Sequence, residues 1–184
     1  MNELVPLAEE VGVSERTLRR AVNEGTLRGH RASPRKLRLP AAEKEYVRGH
    51  WALLAQLREA LRTESNVRFA LLFGSTARGD DTEESDIDLL VEMRDSSFMR
   101  TIDLALKLQP LLGKEVQVLT IEDAESNPLL LAEAAREGRV IVDREGRWPQ
   151  FRDRKGSFER RARARYRKQM ERVFGRPSRK TVTA

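Results

Sequence analysis

The 184 residues contain no cysteine and only two histidines, His30 and His50. A disulfide framework and a thiolate metal site are therefore excluded. Two histidines also argue against a histidine-rich metal centre and a serine–histidine mechanism. No apolar run approaches the roughly 20 residues that a membrane-spanning helix needs. The first residues do not read as a secretory signal. The expectation is a soluble cytoplasmic protein with no membrane partner. Its length suits one or two small domains.

Charge is abundant and unevenly placed. The net +6 divides into +3 over residues 1–40, −8 over residues 41–146 and +11 over residues 147–184. An acidic middle flanked by basic ends suggests that the ends meet phosphate or acidic surfaces.

The middle holds the most informative stretch, Val67 to Glu92. The apolar run Phe69-Ala-Leu-Leu-Phe73 stops at Gly74-Ser75. A polar loop follows, and a second apolar run opens with Asp86-Ile87-Asp88. Alternate strand residues share a face, so Asp86 and Asp88 should project side by side and hold a hard cation such as Mg2+. Gly74 permits a tight turn that brings backbone amides near a phosphate. Ser75 is expected to cap a short helix and to donate its hydroxyl to a phosphate, and Arg78 to clamp one. These residues together would hold the triphosphate of ATP or another NTP, with the metal neutralising the leaving pyrophosphate.

Gly74-Ser75, ten residues, then Asp86-Ile87-Asp88 resembles the signature of minimal nucleotidyltransferase domains of the DNA polymerase beta superfamily. Ala77-Arg78-Gly79 and Ser85 match the usual forms, and the likeness spans about residues 66–146. The resemblance implies Asp86 and Asp88 as catalytic metal ligands and Gly74, Ser75 and Arg78 as nucleotide-binding residues. It also implies a third carboxylate on a later strand. In Glu115-Val116-Gln117-Val118-Leu119 that position holds Gln117. A glutamine accepts a hydrogen bond but takes up no proton. Glu115 shares the face by alternation but lies about 6.6–6.8 Å further along the strand.

Residues 4–39 carry a different pattern. Leu4, Leu7, Ala8 and Val11 recur at helical spacing, and Ser14 reads as the N-cap of a second helix ended by Gly25. That helix turns Leu18, Ala21 and Val22 to one side and Arg16, Arg19, Arg20 and Asn23 to the other. Thr26–His30 and Lys36–Leu39 read as short strands joined by a turn at Ala32-Ser33-Pro34. This segment, with Arg16-Thr17-Leu18-Arg19-Arg20, resembles the winged helix-turn-helix of the MerR and excisionase group. The resemblance implies DNA as a partner. Arg16, Thr17, Arg19, Arg20 and Asn23 would lie in a groove, with Arg28, Arg31, Arg35 and Lys36 on phosphates. The alternative is a small helical cap on the second domain.

Residues 41–63 read as one long helix with Tyr46, Val47, Trp51, Leu53, Leu54, Leu57 and Leu61 on its apolar side. It is a connector or, alternatively, the contact of a homodimer. After the second core strand, a helix with Phe98, Ile102, Leu104, Leu106, Leu108, Leu111 and Leu112 on its apolar side is expected to reach Gly113. A strand over 115–120, a helix over 129–137 and a strand over 139–142 follow. Ser157 is expected to cap a basic helix running to Phe174, with Phe158, Ala162, Tyr166, Met170 and Val173 along one side; residues past Gly175 read as disordered.

The fold class is thus α/β (α+β): a winged helix-turn-helix over 1–40, a connector helix over 41–65, a mixed-sheet nucleotidyltransferase-like domain over 66–146 with helices on one side, and a basic helix and tail over 147–184. Two functions suit it. One is an Mg2+-dependent transfer of an NMP group to a hydroxyl, as in antitoxins that act beside a separate helical toxin protein. The other is a DNA-binding regulator whose transferase-like domain turns over little.

Overall fold

The computed structural model describes residues 4–33 and 36–174. The front unit has two helices, α1 (Leu4–Glu10) and α2 (Glu15–Glu24), and an antiparallel ribbon of β1 (His30–Ser33) and β2 (Lys36–Arg38). The Ser14 side chain caps α2 by accepting from the Thr17 N–H at 3.1 Å, as expected. Gly25, at φ +85°, ends it. The first strand begins at His30 rather than Thr26, because Thr26, Leu27 and Arg28 are drawn against the body of the molecule. The turn between the strands, with Arg35, lies outside the described residues, as does the segment beyond Phe174.

Helix α3 (Ala41–Thr63) leads to a four-stranded mixed sheet of β3 (Val67–Phe73), β4 (Ile87–Met93), β5 (Val116–Thr120) and β6 (Arg139–Asp143). The strand order is β5-β4-β3-β6; only β4 and β5 run parallel. Between strands lie α4 (Gly74–Arg78), α5 (Phe98–Leu112), α6 (Ile121–Ala124) and α7 (Pro128–Glu137), and after them α8 (Arg147–Asp153) and α9 (Lys155–Phe174).

Helices cover both faces of the sheet, not one. Ala70, Leu72, Leu89 and Val91 face α3 and α5, while Phe69, Leu71 and Leu90 face α7, α8 and α9. The physical reason is in the sequence of β3, whose unbroken apolar run requires both faces to be dry. The core on the first side continues without interruption into Leu4, Leu7, Leu18, Leu27 and Leu37 of the front unit. On the second side it continues past residue 146 into Phe151 and Phe158, both buried. Apolar packing therefore crosses each of the boundaries expected from the sequence.

Two helices differ from expectation. In α5, Thr101, Leu104 and Leu108 are buried, whereas Phe98, Leu106 and Leu111 are exposed. The buried strip runs through Thr101, Leu104 and Leu108 and leaves the other leucines named outside it or at its margin. Helix α9 begins at Lys155, so Ser157 lies within it and is no cap. Its first half docks through Phe158 and through Arg161, which donates to Glu125 at 2.7 Å. Tyr166, Met170 and Val173, further along the same side, are exposed. Among the described residues, no helix is long and apolar enough to cross a membrane.

Candidate functional site

The site forms where β3 ends and β4 and β5 begin. Phe73 and Asp88 are paired across β3 and β4, and Asp88 and Gln117 across β4 and β5. The polypeptide leaves β3 through Gly74, at φ +72°, and winds directly into the single turn of α4. A Cβ at position 74 would lie 2.3 Å from the Asp88 Oδ2 atom. Only glycine lets this carboxylate rest against the backbone, and the same residue supplies the left-handed bend.

Asp86 stands one residue before β4, and Ile87 between the two acids is buried. Alternation therefore sends Asp86 and Asp88 to the same side. Burial pushes the Asp88 carboxyl above its ordinary value, the neighbouring Asp86 charge adds to that, and Arg78 opposes it. Arg78 is close enough to Asp88 for its charge to be felt there. It also contacts Asp80 at 3.1 Å and Glu137 at 3.6 Å. Ser75 is the second residue of α4 and does not cap it. The N-cap is Phe73, which makes no side-chain cap bond, and the Ser75 carbonyl accepts from Gly79 and Asp80. Thr76 ties α4 to the acids by donating its hydroxyl to the Asp86 carbonyl at 3.3 Å.

Gln117 reaches the same side. Its Nε2 donates to Asp86 Oδ2 at 2.7 Å. Among the described residues, no group of three or more acids or histidines is arranged around a common metal position. The site is a pair of carboxylates with an amide beside it.

Sequence reasoning passed over several supporting residues. Lys114 donates to the Thr82 carbonyl at 2.8 Å and to the Ser85 carbonyl at 3.3 Å, which pins the loop between the two motif halves. His50 contacts Asp81 of the same loop at 2.7 Å and stacks on Tyr46, whose ring lies against Gly79. The signal for Lys114 was a basic residue just ahead of β5. None marked His50, which meets Asp81 only in the fold.

The described residues expected at DNA lie on α2, on the ribbon and in the segment between them. Arg16, Thr17 and Arg20 line a cleft of about 540 Å³ whose other walls are α3 and β6, with Trp51 and Arg58 among the lining residues. Arg20 pairs with Glu24 at 2.6 Å, Arg19 pairs with Glu15, and Asn23 is exposed on α2. Arg31 and Lys36 stand on β1 and β2. Arg28 is solvent-exposed in part, and its guanidinium donates to the Ala77 carbonyl at 3.3 Å and to the Glu137 carbonyl.

A mixed sheet that presents a glycine bend and two strand carboxylates at one end defines a nucleotide-transfer fold. The Polymerase beta, Nucleotidyltransferase family matches residues 55–147, half of the chain, and the chain belongs to that family. A relative in Methanocaldococcus jannaschii is 38% identical over 80 residues, covering 42% of this chain and 73% of that protein. Protein adenylyltransferase MntA of Thermococcus cleftensis is 35% identical over 69 residues, covering 37% of this chain and 70% of that protein. Two solved structures share the fold. One is a toxin–antitoxin with AMP-PNP, at a TM-score of 0.55 and 21% identity over 65% of this chain and 97% of that one. The other is a tri-AMPylated Shewanella oneidensis HEPN toxin in complex with its MNT antitoxin, at a TM-score of 0.53 and 19% identity over 67% of this chain and 98% of that one.

Proposed function

We propose that this chain moves an AMP group from ATP to a hydroxyl on a separate helical protein, and that it is the antitoxin of a toxin–antitoxin pair. The observation that carries the reading is the contact between Gly74 and Asp88, which joins the two halves of the motif at one point. The name of the Thermococcus relative and the AMP-bearing toxin complex support the choice of adenylyl group and acceptor.

The residues suit Mg2+. That ion takes oxygen ligands and is commonly held by one or two carboxylates together with substrate phosphates. Asp86 and Asp88 supply such a pair, and the proton affinity of Asp88 is raised first by burial and then by the Asp86 charge. When bound, the ion would neutralise charge on the leaving pyrophosphate. Gly74 and Ser75 would seat the triphosphate, and Arg78 would contact a phosphate oxygen. The acceptor oxygen forms a bond to the α-phosphorus as the bond to pyrophosphate breaks. Gln117 takes no proton, so the proton of the acceptor hydroxyl passes to solvent.

One observation favours a second reading, a DNA-binding regulator with little turnover. The Gln117 amide occupies a lone pair of Asp86 at the place of the expected third acid. In this reading α2 would hold DNA through Arg16 and Arg20, and the sheet domain would sense nucleotide. The two readings join in an antitoxin that controls its own operator.

The test is label transfer from α-labelled ATP with Mg2+ to candidate helical partner proteins. Transfer that disappears in the Asp86→Asn, Asp88→Asn double variant is expected. Transfer that persists in that variant overturns the assignment of the site.

A further inference from the structure

We infer that Arg139 and Arg28 are positioning residues for α4, the single turn that carries Ser75 and Arg78, and that the front unit thereby forms part of the frame of the nucleotide site. The inference rests on the reading of that turn as the triphosphate seat.

A five-residue helix does not hold itself in place. One turn closes too few internal bonds to repay its nucleation, and its last carbonyls have no partner within it. Ala77, near the end of α4, presents such a carbonyl. Two guanidinium groups take it. Arg139 donates through Nε at 2.7 Å, and Arg28 through Nη2 at 3.3 Å.

Both arginines are themselves fixed. Arg139 is 1% exposed, donates to both Glu43 oxygens at 2.5 and 3.0 Å, and lies 3.3 Å over the Tyr46 ring. Its Nη1 also reaches the Thr26 carbonyl at 3.2 Å. The Arg28 backbone N–H donates to Glu43 at 2.8 Å. Glu43 therefore holds both the Arg139 guanidinium and the Arg28 backbone. A buried charge so fully paired is expensive to disturb, which keeps the fork aimed at Ala77. Thr26 and Arg28 belong to the front unit, Glu43 and Tyr46 to α3, and Arg139 to β6. Three parts of the chain meet on one carbonyl three residues beyond the glycine bend.

The experiment compares Arg28→Ala, Arg28→Lys and Arg139→Lys in the full chain. Binding of AMP-PNP with Mg2+ is followed by calorimetry, KM for ATP and kcat by label transfer, and the exchange of the backbone amides of residues 76–80 without nucleotide. Arg28→Ala should raise KM and weaken AMP-PNP by roughly five- to tenfold, the equivalent of one hydrogen bond. Its kcat should stay near that of the parent, the 76–80 amides should exchange faster, and Arg28→Lys should recover part of both effects. Unchanged affinity together with unchanged exchange in Arg28→Ala overturns the inference. If Arg139→Lys fails to fold, the Arg28 pair still decides. If the parent chain binds no nucleotide, the proposed function falls, while the amide exchange still reports whether α4 is held from the front unit.

Discussion

Gln117 donates its side-chain amide to Asp86 across the parallel strands, at 2.7 Å. The contact places a neutral donor where a proton acceptor would serve a hydroxyl attack. Gln117→Glu keeps the length of the side chain and adds a carboxylate. Positioned general bases contribute about 10²–10⁴-fold. Even an imperfectly aimed carboxylate should raise the rate of AMP transfer about tenfold at saturating ATP. A rate identical to the parent would remove position 117 from the chemistry.

Gly74→Ala sets a methyl group against Asp88 Oδ2 at a backbone φ of +72°. The left-handed conformation alone costs a residue with a Cβ about 1–2 kcal/mol. The carboxylate must also move. A lower melting temperature together with at least a tenfold loss of AMP-PNP affinity is expected. A melting curve and a calorimetric titration suffice. Retained affinity would show that Asp88 does not need its place beside the bend.

Asp88 carries a signature in pH. Burial raises its folded pKa, so the protonated form is the one that folding favours. Its contribution to stability is present below the ordinary value, 3.8, and is lost as pH rises through the folded value. At neutral pH in the presence of a chelator, Asp88→Asn should therefore melt above the parent. The gap should close as pH falls toward that ordinary value. Added Mg2+ should stabilise the parent and not the variant. A variant that melts below the parent at pH 7 would contradict the burial cost of the Asp88 carboxylate at this site.

DNA binding, if α2 provides it, depends steeply on salt. Each phosphate contact contributes about 0.9 to the slope of log affinity against log salt. Arg16→Ala with Arg20→Ala should flatten the slope by roughly one to two, read from titrations of upstream duplex at several salt concentrations. Arg28→Ala is a poor probe of the same role, because that side chain is engaged with Ala77 and Glu137. An unchanged slope would exclude the cleft face of α2 as the seat of DNA.

The site was legible from the sequence wherever neighbours along the chain decide the geometry. Gly74, Ser75, Asp86 and Asp88 sit at turns and alternate strand positions, and Gln117 is opposite Asp88 because β5 pairs in register with β4. What distant parts decide was not legible. Arg28 belongs to a run of charge that reads as phosphate-seeking, yet its acceptors lie 49 and 109 residues away. Ser75 reads as a cap, but the helix starts one residue earlier, at the glycine. Helices α6 and α8 are too short to leave a periodic trace. The two-sided burial of β3 is present in the unbroken apolar run Phe69-Ala-Leu-Leu-Phe73. Alternation within it sends Phe69 and Leu71 one way and Ala70 and Leu72 the other.

The outer strand of the sheet has a further bearing. Val140 in β6 receives the Gly25 carbonyl on its N–H at 3.1 Å and the Thr26 hydroxyl on its carbonyl at 2.6 Å. Bare rims of β-structure recruit foreign strands and seed aggregates. The segment leaving α2 acts here as a bumper, covering part of that rim. Severing it would unmask backbone that another polypeptide could zip onto, so the front of the chain guards solubility whether or not it ever touches a gene.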